Sequence, residues 1–191
     1  MKKLILLSVF ALFSSAAFGQ EQPIRYQGEV QAGYAFGVGD IKIDRLSVHM
    51  INGVRFNPYL SAGVGVGLDY YDDNGISLLS MPLFVNVKGY LPVSPKVSLF
   101  ASFDMGYSVA LKSEEESGWV DNVNVDVKVG MKGFMVTPAI GASFEVGDAK
   151  AFNISLCYDL KKATADVSAM RQSASATTNC NAIGLKVGFA F

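Results

Sequence analysis

Apolar and polar positions alternate with a period of two over most of this chain, the mark of extended strands with one apolar face. In the first segment Tyr26, Gly28, Val30, Ala32, Tyr34, Phe36 and Val38 share a face, and Gln27, Glu29, Gln31, Gly33, Ala35 and Gly37 share the other. A short turn near Gly39 and Asp40 leads to a second, with Leu46, Val48, Met50 and Val54 opposite Arg45, Ser47, His49 and Arg55, ended by Asn57-Pro58. The third alternates apolar side chains from Leu60 to Tyr70 with Ser61, Gly63, Gly65, Gly67 and Asp69. So many glycines would leave a poor soluble core but suit a crowded barrel interior. After the loop signal Asp72 to Gly75, a fourth segment sets Leu79, Met81, Leu83, Val85 and Val87 against Ser80, Asn86, Lys88 and Tyr90.

The fifth segment runs from Val97 to Val109, opposite Ser98, Ser102, Asp104 and Ser108, after a break at Pro92 to Pro95. It enters an acidic, exposed tract from Lys112 to Gly118, then alternating valines from Trp119 to Val129 that read as strand projecting beyond a membrane. The apolar parity changes between Met131 and Phe134, so a bulge is expected at Gly130 or Gly133. The sixth segment carries Phe134 to Val146 and the seventh Phe152 to Leu160 against Asn153, Ser155, Cys157, Asp159 and Lys161. A Ser-, Thr- and Ala-rich stretch from Ala163 to Asn181 reads as a loop before the eighth and last segment, AIGLKVGFAF.

Half of the 191 residues are hydrophobic, a composition that an ordinary secreted or periplasmic soluble domain also fits. No run reaches the roughly 18 to 20 apolar residues of a membrane-spanning helix. A shorter apolar block opens the chain. Lys2 and Lys3, the apolar Leu4 to Phe13 and the small residues of Ala17-Phe18-Gly19 predict a signal peptide over 1–19, with 20–191 as the mature domain. No cysteine follows that site, so no lipoprotein anchor is expected. Removing Lys2 and Lys3 from the 16 basic residues leaves 14 against 17 acidic ones, which argues against a nucleic-acid surface.

The contents of the two faces decide between a soluble and a membrane barrel. Backbone polar groups in hydrocarbon find no water, so a spanning sheet must close and abolish its edges. Eight strands of about ten residues, with tight turns after the second, fourth and sixth and longer connections after the third, fifth and seventh, satisfy that requirement. A charge on the lipid face near the midplane costs roughly 2 to 4 kcal/mol, and none falls there in these segments. Aromatics gather near strand ends, with Tyr34, Phe36, Tyr70, Tyr107 and Phe134 toward the loops and Phe144, Phe152, Phe189 and Phe191 toward the turns. Two such rings suit the two interfaces of a bilayer. The expected fold is an all-β, eight-stranded antiparallel up-and-down transmembrane β-barrel.

The stretch SMPLFVNVKGYL from Ser80 to Leu91 and the terminal GFAF give the mature chain its likeness to a known family. It resembles the small eight-stranded outer-membrane β-barrels of the OmpA and OmpX type, and more narrowly the PorT-like barrels. The resemblance implies residence in a bacterial outer membrane, contact with its lipid, and recognition of Phe189 and Phe191 as an assembly signal by the barrel assembly machinery. Pro82 and Pro138 depart from the pattern, because a closed barrel has no edge to absorb a missing N–H except at a bulge.

Inward phasing places Glu29, Asp69, Asp104, Glu145 and Asp159 in the lumen with Arg45, Arg55, Lys88 and Lys186. So narrow a barrel is filled by side chains or holds one small ligand, and the simplest reading of these charges is a buried salt-bridge network. A proton or ion path is the alternative. His49 is the only histidine, which excludes a multi-histidine metal site, and its inward direction argues against a catalytic base acting on lipid. GVGVG at Gly63 to Gly67 lies within a strand and is not a phosphate loop. Cys157 and Cys180 sit several rungs apart and are expected as thiols rather than a bridge. The expected function is non-enzymatic and needs no cofactor: an envelope-structural or surface-interaction barrel, whose extracellular or periplasmic partner is unidentified. A narrow uptake channel for a small, hydrophobic molecule is the alternative.

Overall fold

The computed structural model describes residues 24–38, 42–73, 76–112, 114–120, 123–130, 132–147, 149–169 and 172–191. The predicted signal peptide and the Gly39-Asp40 turn lie outside them. Ten strands run in chain order: β1 (Arg25–Gly37), β2 (Asp44–Asn57), β3 (Leu60–Asp73), β4 (Ile76–Ser94), β5 (Val97–Lys112), β6 (Glu114–Val120), β7 (Val123–Gly130), β8 (Gly133–Gly147), β9 (Lys150–Ala169) and β10 (Gln172–Ala190). Eight of them, β1 to β5 with β8 to β10, pair antiparallel in order, and β10 returns to β1. That pairing makes the sheet a closed barrel.

The seam runs from Glu29 opposite Ala190 to Gly37 opposite Ala182. Below it Phe191 N donates to Gly28 O at 2.8 Å, and Gly28 N donates to Phe191 O at 2.7 Å. The Phe191 ring covers Gly28, where a Cβ would sit 2.6 Å from its Cε2.

Alternation survives folding with its apolar face turned outward. Ile140 is 64% exposed and Leu185 52%, whereas Lys88 and Asp69 on the opposite face are 1% and 0% exposed. Aromatics form rows across the ladder. Phe144 faces Phe152, which faces Phe189, while Tyr107 faces Phe134 at the other end. Near that end the Tyr34 hydroxyl donates to Asp44 at 2.7 Å, anchoring a ring at the depth where water begins.

Two expectations are revised outright. Ala163 to Asn181 is not a loop: β9 and β10 stay paired through it, from Asn181 opposite Leu160 to Gln172 opposite Ala169. This extension adds ten pairs beyond the β1 seam, a reach of about 33 Å at ~3.3 Å per residue. The two prolines cause no bulge at their own positions. Pro82 faces Ser108 on β5 and Pro138 faces Phe103, but the opposite ladders skip Gly67 and Leu68 on β3 and Tyr158 and Asp159 on β9 without changing register. The missing N–H is absorbed as a short gap. The outer edge of β9 passes from β8 to β7, because Met135 faces Lys161 and Gly130 faces Thr164. Four residues then lie against two, a break at which Gly133 takes φ +141°, close to the expected parity change. The stretch from Trp119 to Val129, expected as one strand, is divided: Trp119 and Val120 end β6, Val123 to Val129 belong to β7, and β7 folds back on β6 from Val123 opposite Val120.

Candidate functional site in the barrel lumen

Odd-numbered positions of β1, β2, β3, β8 and β9 and even-numbered positions of β4, β5 and β10 turn inward, so their polar side chains meet in one narrow space. Toward the loop end, Asp69 and Asp159 form the centre of a cluster. Arg45 Nη2 pairs with Asp159, Lys161 pairs with Asp69, and His49 Nε2 lies 2.9 Å from Asp69 Oδ1. Arg45 Nε stands 3.8 Å from the same Asp69 oxygen, an ionic contact without a hydrogen bond. Thr137 Oγ1 donates to Asp159 at 2.5 Å. Above this cluster Tyr71, Leu78 and Cys180 form an apolar cap.

Halfway along, Asp104 accepts from Asn86 Nδ2 at 2.5 Å and lies 3.6 Å from Lys186 Nζ. Toward the turn end, Lys88 Nζ donates to Glu29 at 2.5 Å, and Gln31 and Asn153 each donate an amide N–H to its second oxygen at 2.9 and 2.8 Å. Lys88 also sits 4.7 Å from the centroid of the Phe100 ring.

Among the described residues the charges buried in this space balance. Glu29, Asp69, Asp104 and Asp159 give four negative groups; Arg45, Lys88, Lys161 and Lys186 give four positive ones. Every one is 5% exposed or less.

The bare faces explain how long side chains fit. A Cβ at Gly33 would come 2.8 Å from Lys186 Cγ, and one at Gly141 would come 2.7 Å from Phe100 Cζ. Gly65 gives the same room to the Phe84 ring and Gly67 to His49. Each glycine is a socket for a neighbour's cation or ring. Beside Gly63 and Gln27 a void of about 10 Å³ remains, roughly room for one water.

The predicted network is therefore largely assembled: Glu29, Arg45, Asp69, Lys88, Asp104, Asp159 and Lys186 are all buried and charge-paired. Glu145 is a correction. It is exposed at the turn end, where β8 runs out into its turn and solvent reaches the inward row. Arg55 is also outside the network, half-buried and donating to the carbonyls of Asn57 and Pro58. Lys161 was missing from the expected set although alternation puts it inward, two positions after Asp159. The inward rings of Tyr71, Phe84, Tyr90 and Phe100 were not expected as a group either. Cys157 faces Gly184 and Cys180 faces Lys161, four rungs apart, and no disulfide joins them.

No family model matches this chain, and no curated protein matches its sequence. Its architecture matches several solved structures. Neisserial surface protein A superimposes with a TM-score of 0.62 at 10% identity, covering 88% of this chain and 98% of that one. The outer membrane protein OprG from Pseudomonas aeruginosa gives 0.56 at 9% identity over 90% and 96% of the two chains. The outer membrane protein AlkL, solved in lipid bilayers, gives 0.54 at 9% over 91% and 96%. A soluble protein rarely exposes more than a few hundred Å² of contiguous apolar surface, whereas here the outward face is apolar around the whole barrel. With its apolar exterior and its closed barrel, the chain has the fold of the small eight-stranded outer-membrane β-barrels.

Proposed function

We propose that this protein is a non-enzymatic outer-membrane barrel with a side-chain-filled lumen, serving the envelope as a rigid anchor for its projecting strands. The balanced set of four buried acids and four buried bases carries the reading. A conducting path would hydrate such groups, whereas here each charge is held against an opposite one under the Tyr71 and Leu78 cap. His49 supports the non-enzymatic part. Its Nε2 is engaged by Asp69 and its Nδ1 has no partner among the described residues, so no hydroxyl or thiol is placed for it to activate. The part built to meet something outside the membrane is the sheet made by β6, β7 and the long ends of β9 and β10.

The test is reconstitution of the full barrel in planar bilayers and liposomes. Conductance and small-solute leakage should stay at background, for the wild type and for Asp104→Asn alike. Steady current with altered ion selectivity in Asp104→Asn would favour the uptake channel instead. An epitope tag inserted at Gly118 should be labelled on intact cells. Labelling only after permeabilisation would reverse the orientation.

A further inference from the structure

We infer that the turn-end mouth of the barrel is a binding cup for a small organic anion, one with a carboxylate or phosphate group. A cavity of about 190 Å³ opens there, lined by Arg25, Arg55, Lys150, Glu145, Gln27 and Tyr26 among others. On the same measure the one-water void beside Gly63 is about 10 Å³, so the cup has the bulk of a small metabolite rather than a polymer. Three cations face one carboxylate. This is unlike the lumen above it, where signs cancel.

Two features go beyond surface charge. Arg25 and Arg55 are directly opposite on β1 and β2, a like-charge pair that destabilises a sheet unless something negative lies between. Among the described residues neither has an acidic partner. Arg55 is also fixed in place. Its Nε and Nη2 donate to the carbonyls of Asn57 and Pro58 at 3.3 and 2.9 Å, and its guanidinium lies 4.3 Å from the Tyr90 ring centroid. Those bonds leave Nη1 for a ligand, in a side chain that has already lost its rotamer freedom. Gln27 holds the ring beneath Arg55, its Nε2 donating to the Tyr90 hydroxyl at 2.9 Å. An anion between the two guanidinium groups relieves their repulsion without reordering Arg55. Tyr90, which touches both Gln27 and Arg55, and the neighbouring Phe100 are nearly fully buried, and binding in the cup requires no passage through the barrel.

The experiment is calorimetric titration of the detergent-folded full chain with glycerate, phosphoglycerate, inorganic phosphate and, as an uncharged control, glycerol. Saturable binding of glycerate or phosphoglycerate is expected, with none for glycerol. Whichever of the two binds more tightly identifies the anionic group. Arg25→Gln, at an exposed strand end, should weaken binding about tenfold, the loss of one charge-assisted hydrogen bond, without changing heat-dependent gel mobility. Arg55→Gln should weaken it at least as much. No saturable binding to wild-type protein, or undiminished binding to Arg25→Gln, would overturn the assignment.

Discussion

Glu29 shows how much one lumen side chain supports. It accepts from Lys88, Gln31 and Asn153, so removing it leaves an ammonium and two amides without their acceptor in a space closed to water. Breaking a buried pair from one side costs about 3 to 5 kcal/mol, and Glu29→Ala should lower the urea midpoint of unfolding in vesicles accordingly. The double change Glu29→Gln with Lys88→Met keeps an acceptor for the amides and removes both charges. It should recover most of that loss, and a double variant as unstable as the single one would show that the ionic pairing is not the source of the stability. Gly106 tests the steric side. A Cβ there would meet the Phe84 Cα at 2.6 Å, and backbone cannot swing away as a side chain can. Gly106→Ala should cost about 1 to 3 kcal/mol, read from the same unfolding curve.

At the scale of the strand, what the sequence made legible follows from contrast. Within the membrane one face must be apolar and the other polar, so Val85 against Asn86, or Leu185 against Lys186, can be phased by eye. Past the membrane that demand ends. Ser173 to Asn179 contains no large apolar side chain, and its strand is held by backbone pairing that leaves no period in the side chains. Lys161 is on the inward row by alternation, but at the last position of its segment it was not counted with the lumen charges. Glu145 was placed too deep. Parity says which way a residue points, not whether the wall around it has already ended. Pairings predict how separable the extension is. β8 meets β9 directly from Met135 to Gly147, and β7 touches β9 only from Val125 to Gly130. Replacing 114–130 with a short turn should therefore remove the outer sheet and leave the barrel closed, with its unboiled SDS-gel mobility still distinct from the boiled form. Loss of that distinction would mean that β6 and β7 help hold the barrel together.

The whole molecule depends on one long-range joint. Phe191 makes two backbone bonds to Gly28 and lays its ring over it, which gives the terminal aromatic a structural task as well as its expected role as an assembly signal. Phe191→Asp puts a charge on that outer surface, and Gly28→Ala pushes against the ring. Both should lower the folded fraction on an unboiled gel, and unchanged folding of Gly28→Ala would show that the ring does not need its seat. The joint also sets an order in time. Strands linked by two-residue turns, such as β2 with β3, can zip together as soon as both exist, whereas β1 must wait for a partner from the far end of the chain. Throughout that wait β1 and β10 each carry an open row of amides and carbonyls, the form most prone to pair with a neighbouring molecule. The slow step in making this barrel is then the meeting of its two ends, and crowding of half-made chains is the hazard it has to outrun.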